Sequence, residues 1–220
     1  MFGFCTSLTT APELPATTLA NYCYNYMFSG CTSLTSAPEL PATTLANYCY
    51  NYMFSGCTSL TTAPQLPATT LATCCYNGMF NSCKSLTTVH KLPATTLDYS
   101  CYNGMFYGCT SLTIIPSDLL PATTLTNSCY ESMFSGCTSL TSAPDLPATT
   151  LANDCYSRMF SGCTSLAYIT CLATNISASY CTTNWVLEVS PTGTFVKASS
   201  MSGWTTGGSG IPSGWTVQDA

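Results

Sequence analysis

The large apolar residues of this chain recur at a fixed interval. Leu34, Leu40, Leu45, Met53 and Phe54 return 26 residues later as Leu60, Leu66, Leu71, Met79 and Phe80. The phrase Cys-(Thr/Lys)-Ser-Leu opens each period at Cys5, Cys31, Cys57, Cys83, Cys109, Cys137 and Cys163, with spacings of 26, 26, 26, 26, 28 and 26. A second cysteine series, Cys23, Cys49, Cys75, Cys101, Cys129, Cys155 and Cys181, keeps the same step, and Leu-Pro-Ala-Thr-Thr-Leu recurs from Leu14–Leu19 to Leu146–Leu151. The single insertion, around Ser117 and Asp118, reads as a surface loop. A period of this length is the signature of a stacked repeat.

Within one period the pattern predicts two elements. Ser33–Ala37 carries Leu34 and Ala37 among Thr and Ser and predicts a short strand. Pro38 and Pro41 stop it and turn the chain. Thr43 or Thr44 can then cap a short helix whose apolar stripe is Leu45, Cys49, Met53 and Cys57, each four residues apart. Gly56 ends that helix with a left-handed turn. No such unit can bury its apolar side alone, so neighbours must stack, with strands of successive coils about 4.8 Å apart in a parallel sheet.

Met-Phe-Ser-Gly-Cys-Thr-Ser-Leu-Thr followed by Leu-Pro resembles the BspA-like, Treponema-type leucine-rich repeat. Phe28, Cys31, Leu34 and the pair Leu40-Pro41 carry the likeness, which recurs over residues 1–181. Two features depart from the family pattern: the period is 26 rather than about 23, and Met stands before Phe where the family has a small residue. The resemblance implies an α/β repeat solenoid, a right-handed leucine-rich-repeat-like coil with a parallel sheet of short strands and short helices on the other side. About seven coils fill residues 1–181, and residues 182–220 form a small β-rich cap or docking segment. It also implies a non-catalytic protein of bacterial surface adhesins or gut phages, located extracellularly, on a cell surface or on a virion, with a host protein or surface glycan as ligand. A structural stalk, fibre or filament subunit, self-associating through its ends, is the alternative.

Composition narrows the partners. Only 6% of residues are charged, against roughly 25% in ordinary soluble domains. The net charge is −5, and Lys84, Lys91, Arg158 and Lys197 are scattered, so there is no basic surface for nucleic acid. No apolar run is long enough to span a bilayer. Met1-Phe2-Gly3-Phe4-Cys5 lacks the regions of a signal peptide and matches Met27-Phe28-Ser29-Gly30-Cys31. The chain thus opens inside a repeat, leaving an uncapped N-terminal end.

Candidate chemistry is sparse. Of sixteen cysteines, fourteen lie in the two columns, and Cys74 and Cys171 are extra. The columns fit either a disulfide ladder, since rung spacing lies within bridging range, or two rows of small buried thiols. No CxxC occurs and His90 is the sole histidine, so neither a metal site nor a cofactor is expected. His90 has no nucleophile or orienting acid nearby in the pattern, which argues against an enzyme. Glu13, Glu39, Gln65, Lys91, Asp118 and Asp145 share the proline corner and read as a solvated edge. Tyr24, Tyr50, Tyr76, Tyr102, Tyr130 and Tyr156 form an unbroken column expected to stack. Tyr22, Tyr26, Tyr48 and Tyr52 occupy positions where later coils carry Cys74, Gly78, Ser100, Gly104, Ser128, Ser132, Asp154 and Arg158. That tolerance suggests exposure, and with Asn25 and Asn51 these tyrosines make the candidate binding patch.

Repetition fades after Leu166. Trp185–Val189 and Thr194–Lys197, flanking Ser190-Pro191-Thr192-Gly193, predict a β-hairpin. Gly207–Gly210 reads as a flexible turn or linker. Trp185, Trp204 and Trp215, the only tryptophans, are the expected hydrophobic plug of the last coil.

Overall fold

The computed structural model describes residues 1–220. The 26-residue coils stack in register, and Phe2, Phe28, Phe54, Phe80, Phe106, Phe134 and Phe160 form a ladder with ring centroids 5.5–5.7 Å apart. The Tyr24-to-Tyr156 column stacks beside it at 5.6–6.2 Å. Both ladders belong to one continuous core with the cysteine columns, the Met column and the repeat leucines.

The expected helices are absent. In the segment that follows Ala20, the odd-numbered amides of Cys23, Asn25, Met27, Ser29 and Cys31 donate to the carbonyl three residues back, at 3.0–3.3 Å. The even-numbered amides of Tyr22, Tyr24, Tyr26, Phe28 and Gly30 donate to Asn47, Cys49, Asn51, Met53 and Ser55 of the next coil, at 2.7–3.0 Å. A helix would keep every amide for itself. This ribbon of overlapping β-turns gives half of them to its neighbour, as a sheet does. Every second turn needs a positive φ at its third residue, as type II turns do, and φ is 59° at Tyr22, 53° at Tyr26 and 73° at Gly30. The same three columns are left-handed down the whole stack, through Cys74, Ser100, Ser128 and Asp154 in one and Ser132 and Arg158 in another. None of the fifteen non-glycine residues with positive φ is β-branched, in keeping with the steric cost of that conformation for Val, Ile and Thr.

The turn ribbon repeats every four residues, with two side chains in and two out. Cys49, Tyr50, Met53, Phe54 and Cys57 are buried, while Asn51, Tyr52, Ser55 and Gly56 lie outside the core. The stripe read as helical is this four-residue repeat. Thr43 and Thr44 therefore cap no helix; their amides donate to Thr17 O of the preceding coil.

On the opposite wall the expected five-residue strands shrink to single parallel bridges, such as Thr10↔Ser36 and Thr62↔Thr88, and a second set, such as Thr18↔Thr44, follows the proline corner. Proline removes the intervening donors. Extended pairing appears only near the C-terminus, where β1 (Tyr168–Cys171), β2 (Thr194–Lys197) and β3 (Thr216–Asp219) form a parallel sheet in the order β1-β2-β3. This overturns the hairpin. β2 pairs with β1 in parallel, Ile169 opposite Phe195, and with β3, Phe195 opposite Val217, while Val186–Val189 lies outside any strand. The stack thus continues in irregular coils past residue 181, with β2 beginning 26 residues after β1 and β3 22 after β2.

Trp185 enters the column held by methionine elsewhere: Phe160 N donates to its carbonyl, as Phe134 N does to Met159 O. Its fully buried indole stacks on Tyr156 at 6.2 Å and 19° and leans on Phe160 at 6.2 Å and 54°. Trp204 stacks behind it at 5.5 Å, and Phe195 meets it edge-on. The Gly207–Gly210 run is ordered over the last ribbon rather than serving as a linker. Gly208 O accepts from Val186 N, Ser209 Oγ from Asn184 N and Gly210 O from Trp185 Nε1 at 2.7 Å. A Cβ on Gly210 would sit 2.0 Å from Thr205 O, so only glycine allows that approach.

All sixteen cysteines are free thiols, and fourteen are buried. The Cys31 column has a polar duty besides packing. The thiols of Cys57, Cys83, Cys109, Cys137 and Cys163 donate to the carbonyls of Phe28, Phe54, Phe80, Phe106 and Phe134 at 3.0–3.2 Å. A water-soluble thiol reagent should therefore label Cys5 and Cys23, the two exposed thiols, rapidly in the native protein. All sixteen should react in unreduced denaturant. Fewer than sixteen would mean that some rungs are bridged.

Candidate functional site

Two outward surfaces differ in chemistry. The first lies on the turn ribbon of the first two coils. Tyr22 stacks on Tyr48 at 4.8 Å and 5°, and Tyr26 stacks on Tyr52 at 5.1 Å and 6°. Between the two pairs, Asn51 Nδ2 donates to Asn25 Oδ1 at 3.0 Å, and just before the first pair the Asn47 backbone amide donates to Asn21 Oδ1. The structure brings all six predicted patch residues together as an aromatic and amide ladder two rungs deep. Tyr22 and Tyr26 are exposed, whereas Tyr48 and Tyr52 are each half-covered.

The ladder stops for a steric reason. The Tyr52 ring lies flat over Gly78, whose missing Cβ would approach it to 2.4 Å. Cys74, in line with Tyr22 and Tyr48, is buried and hydrogen-bonded to the Tyr48 hydroxyl, which pushes that phenol's pKa up. Burial pushes the Tyr52 phenol up as well. The inference that these columns tolerate variety because they face water needs correction. Cys74, Gly78, Ser100, Gly104 and Ser128 are buried. What the positions share is the left-handed backbone, which admits small and polar residues. Ser132 and Asp154 are half-buried, and only Arg158 is exposed, where it pairs with Glu131 at 2.7 Å.

The second surface is the proline corner. Three adjoining hollows of about 490, 500 and 390 Å³ run between the corners of the first four coils. Their mouths carry Glu13, Glu39, Gln65, His90 and Lys91. Lys91 meets Asp118 at 2.6 Å, and its hydrogen bond holds that carboxyl below the usual carboxylate range. Asp118 belongs to the two-residue insertion, so the loop closes the groove at that end. Sequence reasoning passed over this groove because a column of prolines signals a turn and says nothing of the gap between neighbouring turns.

No group of three His, Cys, Asp or Glu side chains converges in a geometry that could hold a metal. No helix is long and apolar enough to cross a membrane. His90 sits at the groove's edge, with Gln65, Lys91 and prolines around it. The buried thiols are poor nucleophiles, since burial pushes Cys57, Cys101, Cys155 and Cys163 up to about 12.

Among protein families, the model described as BspA type leucine rich repeat region matches in six copies, over residues 1–113 and 73–184. No curated protein and no solved structure matches.

Proposed function

Because the chain belongs to the BspA-type leucine-rich repeat family, we propose that it is a recognition module, an extracellular or virion-borne adhesin that holds a host protein or surface glycan without chemical change. The family is one of non-enzymatic repeat modules that typically serve protein binding at surfaces. The observation that carries the reading is the Tyr22–Tyr48 and Tyr26–Tyr52 ladder with its Asn25–Asn51 rung. The interior columns are nearly identical from coil to coil, and this outward feature is confined to two of them. Stacked tyrosines are rigid, and they offer ring edges and hydroxyls at little cost in conformational entropy.

Native residues of the same columns supply the test. Tyr22→Ser, Tyr26→Ser, Tyr48→Ser and Tyr52→Ser install the side chain found at Ser100, Ser128 and Ser132, which the left-handed backbone already accepts. The quadruple variant should stay folded with a lowered unfolding midpoint, since two ring stacks worth about 0.5–1.5 kcal/mol each are lost. At a temperature well below that midpoint it should lose binding to host-cell surfaces or protein arrays by at least about tenfold, roughly 1.4 kcal/mol. Unchanged binding would remove the patch from the account.

The alternative, a fibre or filament subunit joined through its ends, is the weaker reading. The three tryptophans and the Gly207–Gly210 run support a cap: Thr182, Asn184, Trp185 and Val186 give their hydrogens to Gly208, Ser209 and Gly210. Little donor edge is left there for the coil of a second copy.

A further inference from the structure

We propose that the proline groove binds an uncharged, linear, extended hexose polymer laid along the stacking axis, with one sugar ring in each hollow. This rests on the reading of the chain as a recognition module and names a ligand class and a surface separate from the tyrosine patch.

The groove arises from proline. Bridges join the coils on either side of the corner, at Thr10↔Ser36 and Thr18↔Thr44. Between them no backbone hydrogen bond links residues 12–16 to 38–42, or 38–42 to 64–68. Neighbouring corners part, and their peptide groups keep hydrogen-bonding capacity that no protein group uses. The hollows share walls: Pro38, Glu39 and Pro41 belong to the first and second, and Gln65 and Pro67 to the second and third. Each step therefore repeats the proline walls, while the polar groups change from hydroxyls and glutamates in the first hollow to Glu39 and Gln65 in the second and Gln65, His90 and Lys91 in the third. Proline rings offer flat apolar faces, Thr10, Thr17 and Ser36 offer hydroxyls, and Glu13 and Glu39 offer acceptors. Apolar faces with a few fixed polar groups suit a sugar ring, which has C–H faces and a rim of hydroxyls.

Period selects the occupant. The phenylalanine ladder steps 5.5–5.7 Å from coil to coil, whereas an extended peptide advances ~3.3 Å per residue and falls out of step within one coil. A hexopyranose in an extended chain is about as long as one rung. Charge selects further. Glu13 and Glu39 take part in none of the three ion pairs, and the chain carries −5, so acidic polysaccharides are repelled. The Lys91–Asp118 pair and the crossing bonds Leu92 N to Leu119 O and Asp145 N to Ser117 O end the groove. That sets its length at the three hollows.

Titration calorimetry of the full chain tests this with β-1,4-linked glucose oligomers from dimer to hexamer. The α-1,4-linked series serves as the bent control, and galacturonate oligomers as the charged one. Affinity should climb to the trimer and flatten beyond the tetramer, with the controls at least about tenfold weaker. The exposed-surface variant Glu13→Ala/Ser36→Ala/Glu39→Ala should lose about tenfold at an unchanged melting temperature, while the four-tyrosine variant binds as the parent does. Equal binding of the bent series, loss in the tyrosine variant instead, or preference for an extended Lys- and Arg-bearing peptide would overturn the proposal. No binding of any oligomer would overturn it too. If cell-surface binding still depends on the tyrosines in that case, the recognition reading stands without the groove.

Discussion

Trp185→Ala should lower the unfolding free energy by about 3–5 kcal/mol, the range for deleting a large buried aromatic. The upper part of that range is the better expectation. Trp185 ends two ladders at once, stacked on Tyr156 and leaning on Phe160, with Trp204 and Phe195 packed behind. Its Nε1 also donates to Gly210 O, so the loss leaves that carbonyl without its partner inside the cap. Trp185→Met is the informative companion, because methionine holds this column in every earlier ribbon from Met27 to Met159. It should cost less than alanine by filling part of the volume, yet fail to reach Gly210. Urea unfolding followed by circular dichroism reads both variants. An alanine variant within ~0.5 kcal/mol of the parent, the scale of an ordinary surface change, would mean that the indole does not close the stack.

The period, the columns and the burial of the repeat leucines could be read directly, because identical side chains 26 residues apart can share a core only by stacking in register. The local conformation could not. Leu45, Cys49, Met53 and Cys57 stand four apart, and a stripe that short fits a helix of 3.6 residues per turn as well as a turn ribbon of period four. The discriminating signal was present in Cys-Tyr-Asn-Tyr-Met-Phe-Ser-Gly, whose large apolar residues come in adjacent pairs. Gly104 and Gly108, four apart in one ribbon, pointed the same way, since both mark left-handed positions. The hairpin failed for a related reason. Ser190–Gly193 is a sound turn sequence, but the strand after it gains more by joining β1, where Phe195 lies opposite Ile169 and beneath the tryptophans. The tyrosine patch was visible as a departure from the repeat. Its stacking, and its termination on Gly78, depend on which face each ring presents, and no column of letters records that.

Raising the pH should unfold the protein cooperatively, with a midpoint near pH 10. Burial lifts the thiols of Cys57, Cys101, Cys155, Cys163 and Cys171 to about 12 and that of Cys49 to about 11, whereas an unfolded thiol titrates near its ordinary value of 9.0. A raised folded-state pKa contributes stability that is fully present below the unfolded value. Between about 9 and 12 the unfolded chain releases protons that the native chain must keep, so that contribution is lost as the pH rises. One unit above the unfolded pKa the loss is about 1.4 kcal/mol for each thiol. For six thiols that approaches ~8 kcal/mol, comparable with the whole stability of an ordinary domain. The buried phenols of Tyr102 and Tyr156, also pushed well up by desolvation, act in the same direction once the solvent passes pH 10. Aromatic circular dichroism against pH reads the transition, because it reports the stacked Phe and Tyr ladders. Thiolate absorbance should rise at the same midpoint. If the ladders persisted at pH 11 while the thiols ionised one by one, the cysteine columns would be in contact with water, and the packed interior described above could not be the one the protein has.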